Sequence, residues 1–496
     1  MAWYIGYFFV YFGIVFGFGI YYYFKVKDSD DYLIAGWNMG FWPIVGTIIS
    51  TFCGAAVFIG WVGMGFSVGM SGFFEFALPA YFFTLILVVF FAKQLRRQKL
   101  YTLADLFSER FGGKLGIFPS VLSAFIYAVP TLALQIVGMS TVFNIAFNME
   151  PQTGILVAFA LILGFTILGG LPATIITDAL QSIVLTLGIV VLFIASLNYS
   201  GGIGEVLENT PAHYLTPFGE QGGLAVLIFA LSVGPFYLIW QSTWQRIFAA
   251  RTEEVAKKAG LTAIAIGTAI SILPYAIGVM ARQYVPSDID PDLIFSYVTV
   301  ELLPPFIGGL VLVGLLSALM TGANSFILQG SSNLTQDLYA RMINPDADNR
   351  KMMFVSRLTV VIISVLGLII AFQVQDIVTL YQWALRLSAV TLVLPFLAIM
   401  FWKGVTTAGA LSSMVIAGAV TIIWPYFKEE IIAWFSNMTA DMLAAGTIEV
   451  ITAFFDETIV GFLTSFIVLI VVSLLTKHSK AENVKAVYKE DFNTRT

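Results

Sequence analysis

The chain is predicted to be an all-α polytopic membrane protein, and three observations predict it. Of the 496 residues, 58% are hydrophobic and 11% charged, whereas soluble domains carry about 25% charged residues. Mean hydropathy is +0.89. Apolar stretches recur along the whole length, and about 13 satisfy the ~20-residue criterion for a membrane span. The basic residues between them collect on one side of the resulting layout, as expected of a correctly counted membrane protein. No hydrophilic block is long enough for a large soluble domain. A lone cysteine, Cys53, excludes an internal disulfide, and His213 and His478 are too far apart in sequence to suggest a metal pair.

The spans are placed near residues 3–24 (α1), 41–64 (α2), 71–92 (α3), 115–147 (α4), 153–169 (α5), 174–198 (α6) and 223–240 (α7). They continue near 257–281 (α8), 305–330 (α9), 352–373 (α10), 377–402 (α11), 406–426 (α12) and 456–476 (α13). Residues 1–24 lack a basic leader and a small-residue cleavage site, so α1 reads as a span rather than a signal peptide. Tyr21, Tyr22 and Tyr23, followed by Lys25 and Lys27, resemble an aromatic belt meeting a basic face. Segment 282–304, with Pro286, Pro291 and Pro304, is expected to carry a short amphipathic helix, and the polar tail from Lys477 to be partly disordered.

Basic residues test the count. Lys93, Arg96, Arg97, Lys99, Arg110 and Lys114 share one loop, Arg246, Arg251, Lys257 and Lys258 another, and Arg341, Arg350, Lys351 and Arg357 a third. Lys403 and the tail lie on the same side, while the opposite side has only Arg282 and Lys428. This asymmetry predicts an external N-terminus and a cytoplasmic C-terminus.

Two spans are interrupted. In α2, GTIISTFCGAAVFIGWVGMG (46–65) is punctuated by Gly46, Gly54, Gly60, Gly63 and Gly65. Glycine costs a helix about 1 kcal/mol relative to alanine, so this stretch can unwind. Unwound backbone inside a bilayer is tolerated where it lines a cavity or meets a ligand. In α7, Gly234-Pro235 stands at the centre, and proline removes one helical hydrogen bond. Matching interruptions five spans apart point to a transporter site between two repeats. Glycine and proline are also simply common in membrane helices.

Polar residues inside the spans carry the chemistry. Asp178 reads either as part of an ion route or as a helix-start carboxylate in the headgroup layer. On α9, Ser317, Thr321, Asn324, Ser325, Ser331 and Ser332 form a polar face, suited either to hard-oxygen ligation of a cation or to close helix packing. Arg386 lies deep in α11, with Gln382 one turn earlier. It either grips a solute carboxylate or pairs with Glu75 of α3. Trp240, Gln241, Trp244 and Gln245 read as interface-belt residues. No clustered nucleophile, base or metal set suggests an enzyme.

These residues resemble the sodium/solute symporters, relatives of the sodium–glucose and sodium–proline carriers. The resemblance runs from DYLIAG (31–36) to FWKG (401–404), and is most specific in YTLADLFSERFG (101–112), LGGLPATIITDALQ (168–181), WQRIFAA (244–250) and the end of α9 (331–339). It implies the LeuT fold, with inverted five-helix repeats at 41–198 and 223–402. An extra N-terminal helix and loop (1–40), two further helices (403–476) and a tail (477–496) flank them. It places sodium on the carbonyls of Ser50, Cys53 and Ala318 and on Thr321. Gly322 departs from the family's paired hydroxyls, so water, Asp178 or Ser325 would have to substitute. Positions that hold the solute in sugar carriers fall on Val57, Thr131, Phe236 and Gln382. With Phe58, Tyr237 and Arg386, they favour a compact solute with an apolar body and a carboxylate over a sugar, because unpaired sugar hydroxyls would cost about 1–3 kcal/mol each. Choline-type cations fit a deep arginine less well, although Trp and Tyr offer cation–π contacts.

The resulting expectation is a sodium-coupled symporter of a small organic solute, a monocarboxylate or an amino acid, in the plasma membrane. Its partners are the solute and the lipid bilayer, not nucleic acid, and it is a monomer or loose homo-oligomer. A proton-coupled carrier and a transporter-like solute sensor are the alternatives.

Overall fold

The computed structural model describes residues 2–53, 60–112, 115–373, 377–439 and 445–478. Val57 and Phe58, and the tail from 479, lie outside these residues. Apart from one isolated backbone bridge, Met39 to Ala250, regular structure among the described residues is helical.

Among the described residues, eleven helices are long and apolar enough to cross a membrane. One of them, Pro151–Tyr199, holds 49 residues, about 73 Å at 1.5 Å per residue, far more than the ~30 Å hydrocarbon core. It divides at Gly170, whose φ of 57° and ψ of −158° are outside the range of other residues. A side chain there would also strike Tyr32, with its Cβ 2.5 Å from the ring. Counting α5 and α6 separately and adding the interrupted α2 recovers the thirteen spans. Span α9 runs longer than expected, Pro305–Ile343. The helix expected in the 282–304 segment is Ile294–Leu302.

Both interruptions are present. Helix α2 runs Phe41–Phe52 and stops at Cys53, whose amide turns back to the carbonyls of Ile49 and Ser50. A helical segment resumes at Val62–Ser67. Helix α7 runs Gly222–Val233, tightens over Gly234–Leu238, becomes extended at Trp240, and resumes as Gln241–Ala249.

The centre of the bundle is α9, in which every residue from 311 to 335 is buried. Its polar face is therefore turned to protein, not lipid. Helix α1 mainly faces outward. At Gly46, α2 comes so close to α6 that a Cβ would lie 2.5 Å from the Ala179 Cα. Contacts also sort the loops. Lys93 meets Glu254, Arg97 meets Glu253, Arg110 donates to the Val405 carbonyl, and Arg341 to Ser108. These loops share one end of the bundle. Arg282 stacks 3.7 Å over the Tyr214 ring, and Lys428 reaches Glu457, at the other end.

Candidate ion and solute site

The end of the first half of α2 meets the middle of α9. Ser50 Oγ donates to Thr321 Oγ1 at 3.0 Å, and Thr321 in turn donates to Gln181 Oε1 at 2.7 Å. A hydroxyl oxygen has two acceptor positions, so after receiving Ser50 the Thr321 oxygen keeps one for a cation. The adjoining C-terminus of the α2 segment brings backbone carbonyls, each with a second lone pair, and the negative end of a helix dipole. Thr321, Ala318, Ser50 and Cys53 are all buried. The arrangement is a set of neutral hard oxygens, which suits sodium.

A second polar cluster lies beside the first. Asp178 Oδ2 receives Thr47 at 2.6 Å and stands 3.5 Å from the Arg246 guanidinium, with neither charged side chain exposed. Arg246 also donates to Thr47 and Ser325. Asp178 is thus enclosed by protein, not in a headgroup layer, and its Oδ1 has no hydrogen-bond partner among the described residues. Local sequence gave no hint of Arg246 as its partner, since 68 positions separate them.

Next to these clusters is a small cavity of about 30 Å³. It touches both broken helices, through Thr51, Phe52 and Trp61 on one and Tyr237 and Trp240 on the other. Helix α4 supplies Tyr127, Thr131, Leu134 and Gln135, and α11 supplies Tyr381. Eight of the twelve described lining residues are aromatic and none is charged, so the walls offer faces and hydroxyls rather than a counter-ion. A widened helical stretch, Leu122–Ala128, carries Tyr127, and such stretches are frequent at functional sites. The hydroxyls of Tyr127 and Tyr237 both adjoin that of Tyr381.

Of the solute positions expected from sequence, Thr131 and Tyr237 line the cavity. The Thr131 hydroxyl is turned to the Tyr127 carbonyl at 2.6 Å. Phe236 packs behind the wall, its ring 4.6 Å from that of Tyr127. Tyr381 stands at the wall on the turn that carries the half-buried Gln382. Arg386 is outside the set of lining residues. It binds Glu457 at the start of α13 at 2.6 Å and lies 5.8 Å over the Phe229 ring. The Glu75 pairing does not form, because Glu75 accepts from Gln221 instead. The belt reading of α7 is also corrected. Trp240, Gln241, Trp244 and Gln245 are all buried. Gln241 donates to Asn333 at 2.7 Å, Gln245 to Ser332 at 3.0 Å, and Trp244 to the Leu238 carbonyl at 2.9 Å. Polar residues at a helix end look alike in sequence whether lipid headgroups or another helix satisfies them.

Two interrupted helices facing a polar central helix and a small cavity define a membrane transporter of the LeuT fold. A solved Na+-coupled sialic acid symporter, in a substrate-bound outward-open state, superposes with a TM-score of 0.80 over 97% of this chain and 99% of its own, at 17% identity, a likeness of fold. Residues 32–418 match the sodium:solute symporter family, and the chain belongs to that family. Relatives include the osmoregulated proline transporter OpuE of Bacillus subtilis (strain 168), 26% identical with 91% of each chain covered. The sodium/pantothenate symporter of Escherichia coli (strain K12) is also 26% identical, over 82% of this chain and 87% of its own. The protein is a multi-pass secondary active transporter, with sodium as the co-transported ion and a small organic solute as cargo, and not an enzyme.

Proposed function

We propose that the solute is a compact zwitterion of the amino-acid type, carried inward together with sodium. The observation that carries this reading is the uncharged aromatic cavity beside the Ser50–Thr321 contact. Aromatic faces suit an apolar body and an ammonium group, at about 0.5–2 kcal/mol per cation–π contact. A carboxylate entering such walls without a cation would suffer a desolvation penalty of several kcal/mol. Sodium, held by the Ser50, Cys53 and Ala318 carbonyls and the Thr321 hydroxyl, supplies that cation. Arg386 is engaged by Glu457, so the ion takes the counter-charge role that the arginine was expected to fill. Proline transporters among the relatives, from Bacillus subtilis and Staphylococcus aureus, support this reading.

In this reading sodium binds first and joins α2 to α9. The solute then closes on Thr131, Tyr237, Trp240 and Tyr381, and the units 41–198 and 223–402 rock against each other. Asp178, freed from Arg246 as the inner side opens, gives the ion its way out. The end of the bundle that gathers the arginines and lysines is cytoplasmic, which leaves the N-terminus outside the plasma membrane.

A thermal-shift panel on the purified protein tests the solute class. It compares proline, its decarboxylated amine and its N-acetylated acid, each in sodium and in choline chloride. Stabilisation by the zwitterion in sodium alone is expected. Stabilisation by the acetylated acid equal to that by the zwitterion, or indifferent to sodium, would overturn the reading.

A further inference from the structure

Gly322 follows Thr321 on α9 and faces α4, at the position where the family's second hydroxyl would complete the cation's oxygen shell. The space a side chain there would enter is already taken. A Cβ built on Gly322 would lie 2.8 Å from Gln135 Oε1, 2.9 Å from Cδ and 3.4 Å from Cγ. Gln135 comes from α4 and is 2% exposed. Its amide oxygen is thus pressed against the bare backbone at 322, one residue from the Thr321 hydroxyl. A carboxamide oxygen is a neutral, hard acceptor with two lone pairs, the same kind of donor that carbonyls and hydroxyls offer to sodium.

We propose that Gln135 supplies the sodium ligand that Gly322 cannot, so that the ion joins three helices, α2, α4 and α9. Glycine at 322 and glutamine at 135 form one device. The glycine vacates the space and the glutamine delivers an oxygen into it. The same side chain lines the solute cavity. Sodium that captures its oxygen orients its amide NH2 towards the space where the solute sits. The residue that completes the ion shell therefore also shapes the solute wall, which gives ion and solute a direct physical coupling. By linkage, whatever sodium does for solute affinity the solute does for sodium affinity, by the same factor.

This inference rests on the ion lying between α2 and α9, and the test separates the two. Sodium is titrated against choline at constant ionic strength, and the half-saturating concentration is read from the unfolding temperature of the full-length purified protein. Gln135→Leu keeps the volume and removes the oxygen. It should raise the half-saturating sodium concentration about tenfold or more, by analogy with the effect of losing supporting groups at metal sites. It should also reduce the sodium dependence of solute affinity and, reciprocally, the solute dependence of sodium affinity. Gln135→Ala combined with Gly322→Ser moves the oxygen back onto α9 and should recover most of the loss. Sodium binding unchanged in Gln135→Leu but weakened in Thr321→Ala would overturn the proposal and leave the ion site standing. Binding unchanged in both variants would overturn the ion site and the proposal together. Should Gln135→Leu not fold, the comparison of Gln135→Ala with the rescue pair decides. Recovery supports the ligand role, and equal loss in both refutes it.

Discussion

Asp178 on α6 and Arg246 on the inner segment of α7 face each other at 3.5 Å with no exposed side-chain surface on either. Thr47 of α2 lies between them, donating to the carboxylate at 2.6 Å and accepting from Arg246 Nε at 3.2 Å. The pair joins α6 to the segment after the second break, and Thr47 ties both to the segment before the first. Removing one partner leaves a buried charge uncompensated, which costs about 3–5 kcal/mol. Asp178→Ala should therefore unfold at a clearly lower temperature than the wild type, and lower than the double variant Asp178→Ala/Arg246→Met. A single variant no less stable than the double one would mean that water reaches Arg246.

Trp240 stands in an extended break residue and presents its ring to the cavity, 5.3 Å from Tyr237 and 4.9 Å from Phe52. Trp240→Leu keeps an apolar wall but removes the aromatic face. If the solute carries an ammonium group against that face, binding should weaken by about 0.5–2 kcal/mol, roughly 2- to 30-fold in dissociation constant. Isothermal titration in saturating sodium measures this. An unchanged constant places the cation elsewhere.

Arg386 and Glu457 meet at 2.6 Å, and the neighbouring Asp456 accepts from Ser232 of α7 at 2.9 Å. The start of α13 is thus fastened to both α11 and the first segment of α7. A double-mutant cycle with Arg386→Gln and Glu457→Gln should give a coupling energy of about 0.5–3 kcal/mol, the range for contacting residues, read from chemical denaturation or, if unfolding is irreversible, from unfolding temperatures. Additive effects would mean that the pair contributes nothing to stability.

Orientation is open to labelling chemistry. Cys53 is 1% exposed, so it competes little with introduced thiols. Glu205 and Arg350 are both exposed, one in the acidic loop after α6 and the other in the basic loop before α10. An impermeant maleimide applied to intact cells should label Glu205→Cys and should reach Arg350→Cys only after permeabilisation. The reverse pattern would invert the assigned topology.

Much of the fold was legible because its signals are local. Apolar length and Gly234-Pro235 are each properties of a single stretch, and each produced the feature expected of it, whereas Gly46, Gly63 and Gly65 lie in helical segments at close approaches to neighbouring backbone. Thr321 and Asp178 stand out in sequence as well, since polar groups in a membrane helix contrast with their neighbours, and both are buried. The partners were not legible. Sequence alone offers Arg386 a solute carboxylate or Glu75, yet Glu457, 71 positions later, is its partner. The glutamines and tryptophans of α7 resembled an interface belt, because hydropathy cannot distinguish a helix end facing headgroups from one packed on α9.

The sequence by itself determined a many-span helical transporter with two breaks, a charge-sorted pair of faces and an α9 rich in hydroxyls. Each of these follows from the chemistry of residues close together in the chain. Only the tertiary structure decided that Asp178 belongs to Arg246, that the cavity is walled by uncharged aromatic residues, and that Gln135 fills the space left by Gly322. Those facts depend on distances of a few ångströms between helices, set by how every side chain packs at once.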